Sequence, residues 1–305
     1  MIRWIARIVG LGFVVAVLFA FGSDLKTYFQ SPPGATAEHE FHREPKELHL
    51  ASDGPFGKFD RQQVQRGYQV YKEVCSACHS MNLVHYRDLA ALGYSEAEVK
   101  AEAASREVPG INPETGEETT RKAIPTDHFP APYANETAGR AANNNALPPD
   151  LSLIAKAREG GPAYVYSLLT GFQNQPAELL KKFPSAKTPQ GLHYNPYFAN
   201  LNLAMAPPLT SEGQVVYADG TKSTVDQMAK DVSAFLVWTA EPKLEARHRY
   251  GITALVFLII ATILGYLSYR NIWAEAKRKV APKGPLDPAN KAKRNRAKAK
   301  AGIAG

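Results

Sequence analysis

Residues Gly251 to Tyr269 read GITALVFLIIATILGYLSY, 19 residues without a charge. As a helix this run spans ~28 Å, close to the thickness of a bilayer's hydrocarbon core. A helix buried in a globular core would carry a polar stripe and would not open into a basic tail. Tyr266, Tyr269 and Trp273 stand at its far end, where amphipathic rings favour the interface. One transmembrane helix is therefore fixed, over about 250–273, and the rest of the chain must be arranged around it. A second, shorter apolar run, Ile8 to Gly22, comes after Arg3 and Arg7 and fits a secretory signal. Ala16 and Ala20 offer small residues for cleavage, but Phe19 and Phe21 crowd them, so residues 1–22 read equally as a signal peptide or an uncleaved signal anchor. Either one exports the chain beyond residue 22.

The net charge of +7 is unevenly placed. Residues 277–305 carry ten Lys/Arg against Asp287, for +9, and Arg3 and Arg7 add +2. Residues 250–276 are balanced, which leaves the body, 23–249, at −4. Nucleic-acid binding by the body is disfavoured. The basic run after the apolar helix outweighs Arg247, His248 and Arg249 before it, so 274–305 reads as a cytoplasmic tail. Retaining topology is its simplest role; contact with anionic membrane lipid is the bolder one.

Between the apolar segments, 23–60 is rich in Pro, Gly and charge and reads as an extended lead-in along the surface of a domain covering 61–245. From Arg61 the pattern turns helical, with Val64, Tyr68, Tyr71 and Cys75 recurring at steps of four, three and four. Gly67 lies within that stripe at a cost of ~1 kcal/mol against Ala, tolerable if another helix crosses close to the backbone there. Residues 96–118, with seven acids against Lys100 and Arg106, read as an insertion on the surface rather than core. Asp219-Gly220 is a hairpin signature. Thr224 with Gln227 makes a capping box before a helix with Val225, Met228, Val232, Phe235 and Leu236 on one face. This late helix and the early one expose stripes suited to packing together.

Cys75-Ser76-Ala77-Cys78-His79 carries the chemistry. Two thiols at i and i+3 of a helical turn can add across the two vinyl groups of a haem, and the next residue then places an imidazole beneath the iron. A thioredoxin-like pair wants a strand-to-helix setting, whereas this motif ends a helix. A zinc site wants two more ligands, and the chain holds no other cysteine. For the sixth iron ligand, Met81 is too close to His79 and Met228 falls on an apolar helix face. Met205, in an irregular loop before Pro207-Pro208, is the natural candidate; His128 and His193 stay open as rivals. A Met/His pair raises the potential and closes the iron, which suits electron transfer.

The segments VCSACHSM, ALPPDLSLI, AREGGPAYVYSLLTG, NPYF…AMAPPL and AKDVSAFLVWTAEP together resemble the cytochrome c1 family, the haem subunits of ubiquinol–cytochrome c reductase (cytochrome bc1) complexes. The resemblance runs from about Asp53 to the end of the membrane helix. It implies a mainly α chain: a class I cytochrome c fold with insertions, a C-terminal transmembrane helix, one covalently bound haem c, and axial ligands matching His79 and Met205. It also implies haem-lining residues at Asn143, Ala146, Pro148, Pro149, Ile154, Tyr164, Leu168, Leu169, Phe198, Leu203 and Pro208. On the residues alone, Arg140 and Arg158 are equal candidates for a propionate; the resemblance favours Arg158. It implies that the chain passes electrons from a Rieske iron–sulfur protein to a cytochrome c, beside a cytochrome b subunit in a dimeric complex. By itself such a chain does no substrate chemistry; it serves an oxidoreductase. The location implied is the bacterial inner membrane, with the haem domain periplasmic. Rival readings are a membrane-tethered monohaem cytochrome c serving a terminal oxidase, whose body would usually be shorter, and a haem sensor or peroxidase, which needs an open sixth site. The body's −4, with −5 in 96–118, suits attraction of a basic cytochrome c.

Overall fold

The N-terminal apolar run is the start of a longer helix. In the computed structural model, which describes residues 2–30, 34–279 and 288–300, α1 spans Ile2–Gln30. Nothing stops it at Gly22: the next proline in the chain is Pro32. The Ser23 and Thr27 hydroxyls donate to the Ala20 and Ser23 carbonyls at 2.7 and 3.0 Å, inside the helix. The helix thus runs on past residue 22 to Gln30. After the short α2 (Ala37–Phe41), capped by the Thr36 hydroxyl, the lead-in runs extended and is strapped to the domain. Arg43 N donates to Pro196 O at 2.8 Å, and Lys46 N to Ser167 Oγ at 2.7 Å.

Helix α3 (Arg61–Glu73) begins where Asp60 Oδ1 accepts from Gln62 N and Gln63 N. It gives way to a 3-10 turn at Cys75–Ala77. A second 3-10 segment, Tyr86–Leu92, leads to α4 (Glu96–Ala104), started by a Ser95/Glu98 capping box. Strands β1 (Glu107–Ile111) and β2 (Glu118–Lys122) pair antiparallel, Glu107 opposite Lys122. The segment 96–118 is thus not wholly peripheral. Val99, Ala103 and Val108 are buried in the main core, and Glu102 pairs with Lys72 at 2.7 Å. Val99 and Ala103, four residues apart, set one side of α4 in the core, while most of the remaining segment is exposed.

Next come α5 (Glu136–Ala142), α6 (Ile154–Ala157), α7 (Gly161–Leu169) and α8 (Ala177–Lys182). Strands β3 (His193–Tyr194) and β4 (Asn202–Leu203) form a second, two-residue antiparallel pair. Gly160 and Gly161 break the chain between α6 and α7 with φ of 76° and 50°.

Helix α9 (Val225–Ala240) is the centre of the core. It crosses α3 at Gly67, where a Cβ would lie 2.0 Å from the Asp231 carbonyl oxygen. The close approach expected of Gly67 is met. One apolar face was expected of α9, but burial runs nearly all round it, taking in Asp231 and Ser233. The polar exception is satisfied: Asp231 accepts from Arg66 Nε at 2.9 Å and Gln227 Nε2 at 2.8 Å. Gln227 is consequently spent on Asp231, so only the Thr224 half of the capping box forms. Asp219-Gly220 does turn the chain, with Gly220 at φ 76°, but among the described residues no strands flank it. Val215 and Tyr217 are buried and Asp219 is held by Arg66 at 2.8 Å, so the turn is fixed by packing and charge rather than by a ladder.

The second unit, residues 243–305, holds α10 (Leu244–Lys279) and α11 (Pro288–Lys300). Helix α10 begins before the uncharged run, so Arg247, His248 and Arg249 belong to its first turns. The Tyr269 and Trp273 rings meet at a tilt of 45°, with centroids 6.1 Å apart. Both α1 and α10 are long and apolar enough to cross a membrane. Of the basic tail, residues 280–287 and 301–305 lie outside the described residues.

Replacing Gly67 with Val is expected to cost about 3 kcal/mol by forcing α3 from α9, seen as a drop in Tm of the full-length protein in detergent. Wild-type stability in that variant would mean the crossing is not close.

Candidate haem-binding site

The tight turn after α3 sets the two sulphurs. In a 3-10 turn residues i and i+3 eclipse, so Cys75 and Cys78 face one way. Neither is in a disulfide; Cys78 is exposed and Cys75 only partly so. Some of Cys75 reaches solvent, but its sulphur is enclosed, and that burial, with the Cys78 sulphur nearby, pushes its thiol up to about 12. A redox dithiol requires the opposite shift.

His79 is half-buried, and its Nδ1 lies 2.8 Å from the Pro149 carbonyl oxygen. A carbonyl only accepts, so Nδ1 carries the proton and Nε2 keeps a free lone pair. Burial holds the imidazole below its ordinary value, against the pull of this bond, and it stays neutral. A neutral ring oriented through its far nitrogen is the form that binds a metal ion.

The methionines sort clearly. Met81 and Met228 are fully buried in the main core, whereas Met205 is half-buried in the loop after β4. Buried Leu203 and Leu209 pin the loop at either end. Asn195 ties its base to α7, donating to the Leu168 carbonyl at 2.8 Å. Leu201 at φ 64° is the strained corner that turns the chain into β4. Of the rivals, His128 stacks on His85 with centroids 3.9 Å apart, and His193 pairs with Leu203 across β3 and β4. His79 and Met205 thus sit on separate elements with separate tethers.

The remaining expected residues divide by environment. Ala146, Pro148, Tyr164, Leu168, Leu169, Phe198 and Pro208 are half-buried; Ile154 and Leu203 are buried; Pro149 and Arg158 are exposed. Asn143 is also half-buried, but its amide is occupied, donating to Tyr133 Oη at 2.8 Å and Gly139 O at 2.7 Å, so it shapes the α5 end. Asn144 and Asn145 continue there at φ 51° and 62°. Arg140 donates to Asn145 O at 3.4 Å, whereas Arg158 lies near enough to Tyr164 to draw its burial-raised phenol partly back down. The donor set therefore fits a covalent haem: two free thiols on one turn, a neutral imidazole with an open Nε2, a half-buried thioether, and apolar side chains left half-covered. A separate cleft of about 150 Å³, lined by Tyr71, Lys72, Ser76, Glu102 and Arg106 among others, contains neither His79 nor Met205. Sequence reasoning missed Asp150, which accepts from Ser80 beside His79 and from Ser152 N in its own turn; an Asp directly after Pro-Pro is a turn signal that would have found it.

Comparison with known proteins is consistent with this donor set. A family model described as the cytochrome C1 family matches residues 50–276. Cytochrome c1 of Rhodospirillum rubrum is 45% identical over 233 residues, covering 73% of this chain and 85% of that one. Cytochrome c1 1, heme protein, mitochondrial, of Arabidopsis thaliana is 42% identical over 264 residues, 86% of this chain and 82% of the relative. Cytochrome b/c1 of Bradyrhizobium diazoefficiens is 44% identical over 238 residues, 73% of this chain but 34% of the relative.

In the haem-free chain at pH 8, Cys75 is expected to alkylate about a hundredfold more slowly than an ordinary thiol, while exposed Cys78 reacts freely; mass spectrometry of timed samples reads this. Equal rates would restore the redox-pair reading.

Proposed function

The chain belongs to the cytochrome c1 family, and from that premise we propose that it is the haem-bearing electron-transfer subunit of a membrane-bound ubiquinol–cytochrome c reductase, taking electrons from a Rieske iron–sulfur protein and passing them to a cytochrome c. The observation that carries this reading is the Cys75–Cys78 turn with His79 held through Nδ1 by Pro149.

The bound haem supplies a one-electron couple. Cys75 and Cys78 would hold the group through thioether bonds from the turn that follows α3. His79 would hold the iron through Nε2, which is left free of a proton because Nδ1 donates to the Pro149 carbonyl. Met205 would supply a further ligand, a soft sulphur that would favour the reduced state and exclude other ligands. Tyr164, Leu168, Leu169 and Phe198 would exclude water from the bound group, which would raise the cost of the ferric charge. Arg158 would be the cation for a propionate.

Cytochrome b is the expected neighbour, a reading supported by the relative whose name joins cytochromes b and c1. The membrane-crossing helices and the basic tail support an inner-membrane protein with a periplasmic haem domain and a cytoplasmic C-terminus. The acids near β1 and β2 would attract a basic cytochrome c, an effect that salt screens.

Purified in mild detergent, the protein should bring b-type haem with its own c-type haem and be reduced by quinol. Carbon monoxide should leave the reduced wild type unchanged and bind the Met205→Ala variant. A c-type band that never copurifies with b-type haem would favour the tethered carrier, and carbon monoxide binding to the wild type would remove Met205 from the iron.

A further inference from the structure

Asp150 is absent from the residues expected to line the haem, yet it is the carboxylate most heavily bonded to the backbone around His79. Its Oδ2 accepts from Ser80 Oγ at 2.9 Å and from Asn82 N at 2.8 Å, and its Oδ1 from Ser152 N at 2.9 Å. Alongside, Leu151 N donates to Ser80 O at 2.9 Å and Leu83 N to Ser152 Oγ at 3.1 Å. These bonds fasten residues 80–83, just after His79, to residues 150–152, just after Pro149. The bond from His79 Nδ1 to Pro149 O at 2.8 Å is the next rung of the same ladder.

The ladder has a consequence for the ring. With Asp150 in place the two segments cannot slide apart, so the His79–Pro149 distance is set by neighbours rather than by that bond alone. Although burial would push the Asp150 acid up, donors from Ser152, Asn82 and Ser80 hold it below the usual carboxylate range, so it carries its charge at neutral pH.

We propose that Asp150 is a positioning residue for His79, which lowers the haem's midpoint potential by fixing the His79–Pro149 hydrogen bond and by holding a carboxylate against Ser80, the next residue. Both effects act in one direction. A firmly held N–H···O bond makes the imidazole a stronger donor to iron, and a nearby anion stabilises the oxidised, more positive centre. The inference rests on the reading of His79 as an iron ligand.

The test uses the full-length protein carrying its haem, with Asp150→Asn, Asp150→Glu and Ser80→Ala variants. Redox titration monitored optically gives the midpoint, and NMR gives the exchange rate of the His79 ring N–H. Asp150→Asn is expected to raise the reduced-to-oxidised ratio at fixed potential by up to about tenfold, which is about 59 mV for one electron, and to speed ring N–H exchange. Ser80→Ala should move both in the same direction by less, and Asp150→Glu should recover most of the wild-type values. An unchanged midpoint and exchange rate in Asp150→Asn, even with a lowered Tm, would reduce Asp150 to a structural role and overturn the proposal. If Asp150→Asn does not mature, Ser80→Ala decides: a raised midpoint supports the proposal and an unchanged one overturns it. A wild-type protein without a c-type spectrum would instead overturn the reading of the site beneath it.

Discussion

The approach of α3 to α9 at Gly67 governs the haem domain. The missing side chain lets the α3 backbone lie against the Asp231 carbonyl, and the contacts on either side of that point depend on it. Tyr68 and Tyr71 are brought onto Phe235, with centroids 5.6 and 5.7 Å apart, and Phe129 closes the cluster from a distant part of the chain. Arg66 reaches the buried Asp231 beside the crossing and carries Asp219 with it. Since the cysteine turn begins two residues after α3 ends, the crossing also fixes where the thiols and His79 stand. A buried ion pair of this kind adds little net stability against an apolar substitute, but losing one partner leaves a stranded charge, costing about 3–5 kcal/mol. Its effect is to hold the angle and register of the two helices.

The electron-transfer site is then assembled from two sides, each with its own tether. On one side the chain after His79 is bonded to the Pro148–Ser152 segment. On the other, Asn195 binds the Met205 loop to the end of α7, and the lead-in adds Lys46, whose ammonium donates to Thr170 Oγ1 at 2.7 Å. The extended lead-in thus braces the helix that supplies Tyr164, Leu168 and Leu169. Backbone hydrogen bonds, rather than a continuous sheet, fix the geometry, which suits a redox group that must change charge without moving its surroundings.

Much of this was legible in the residues, for stated reasons. Val64, Tyr68 and Tyr71 recur at helical spacing, and Gly67 among them had no use except close approach. The CxxCH motif keeps its meaning wherever it occurs, because thiol spacing and ligand order are local. What was missed depends on distant neighbours. Nothing near α9 in sequence shows that it is enclosed on nearly every side, nor that Asp231 is neutralised from α3 by Arg66. Gln227 looked free to cap its own helix, but Asp231 one turn later offered a charged acceptor. Asp219-Gly220 carried a hairpin signature, but a ladder needs two strands in register and packing took Val215 and Tyr217 inward instead. The acidic count over 96–118 hid Val99, Ala103 and Val108, since composition averages over a period that burial does not.

The eclipsed turn at Cys75–Ala77 has a bearing on handedness. Its two sulphurs are not equivalent: one is enclosed and the other open to solvent. A porphyrin's two vinyl arms are likewise unlike, and its two faces are mirror images of each other. A haem joined to both sulphurs would therefore meet two unlike settings on a turn of fixed hand, which would favour one way round over the other.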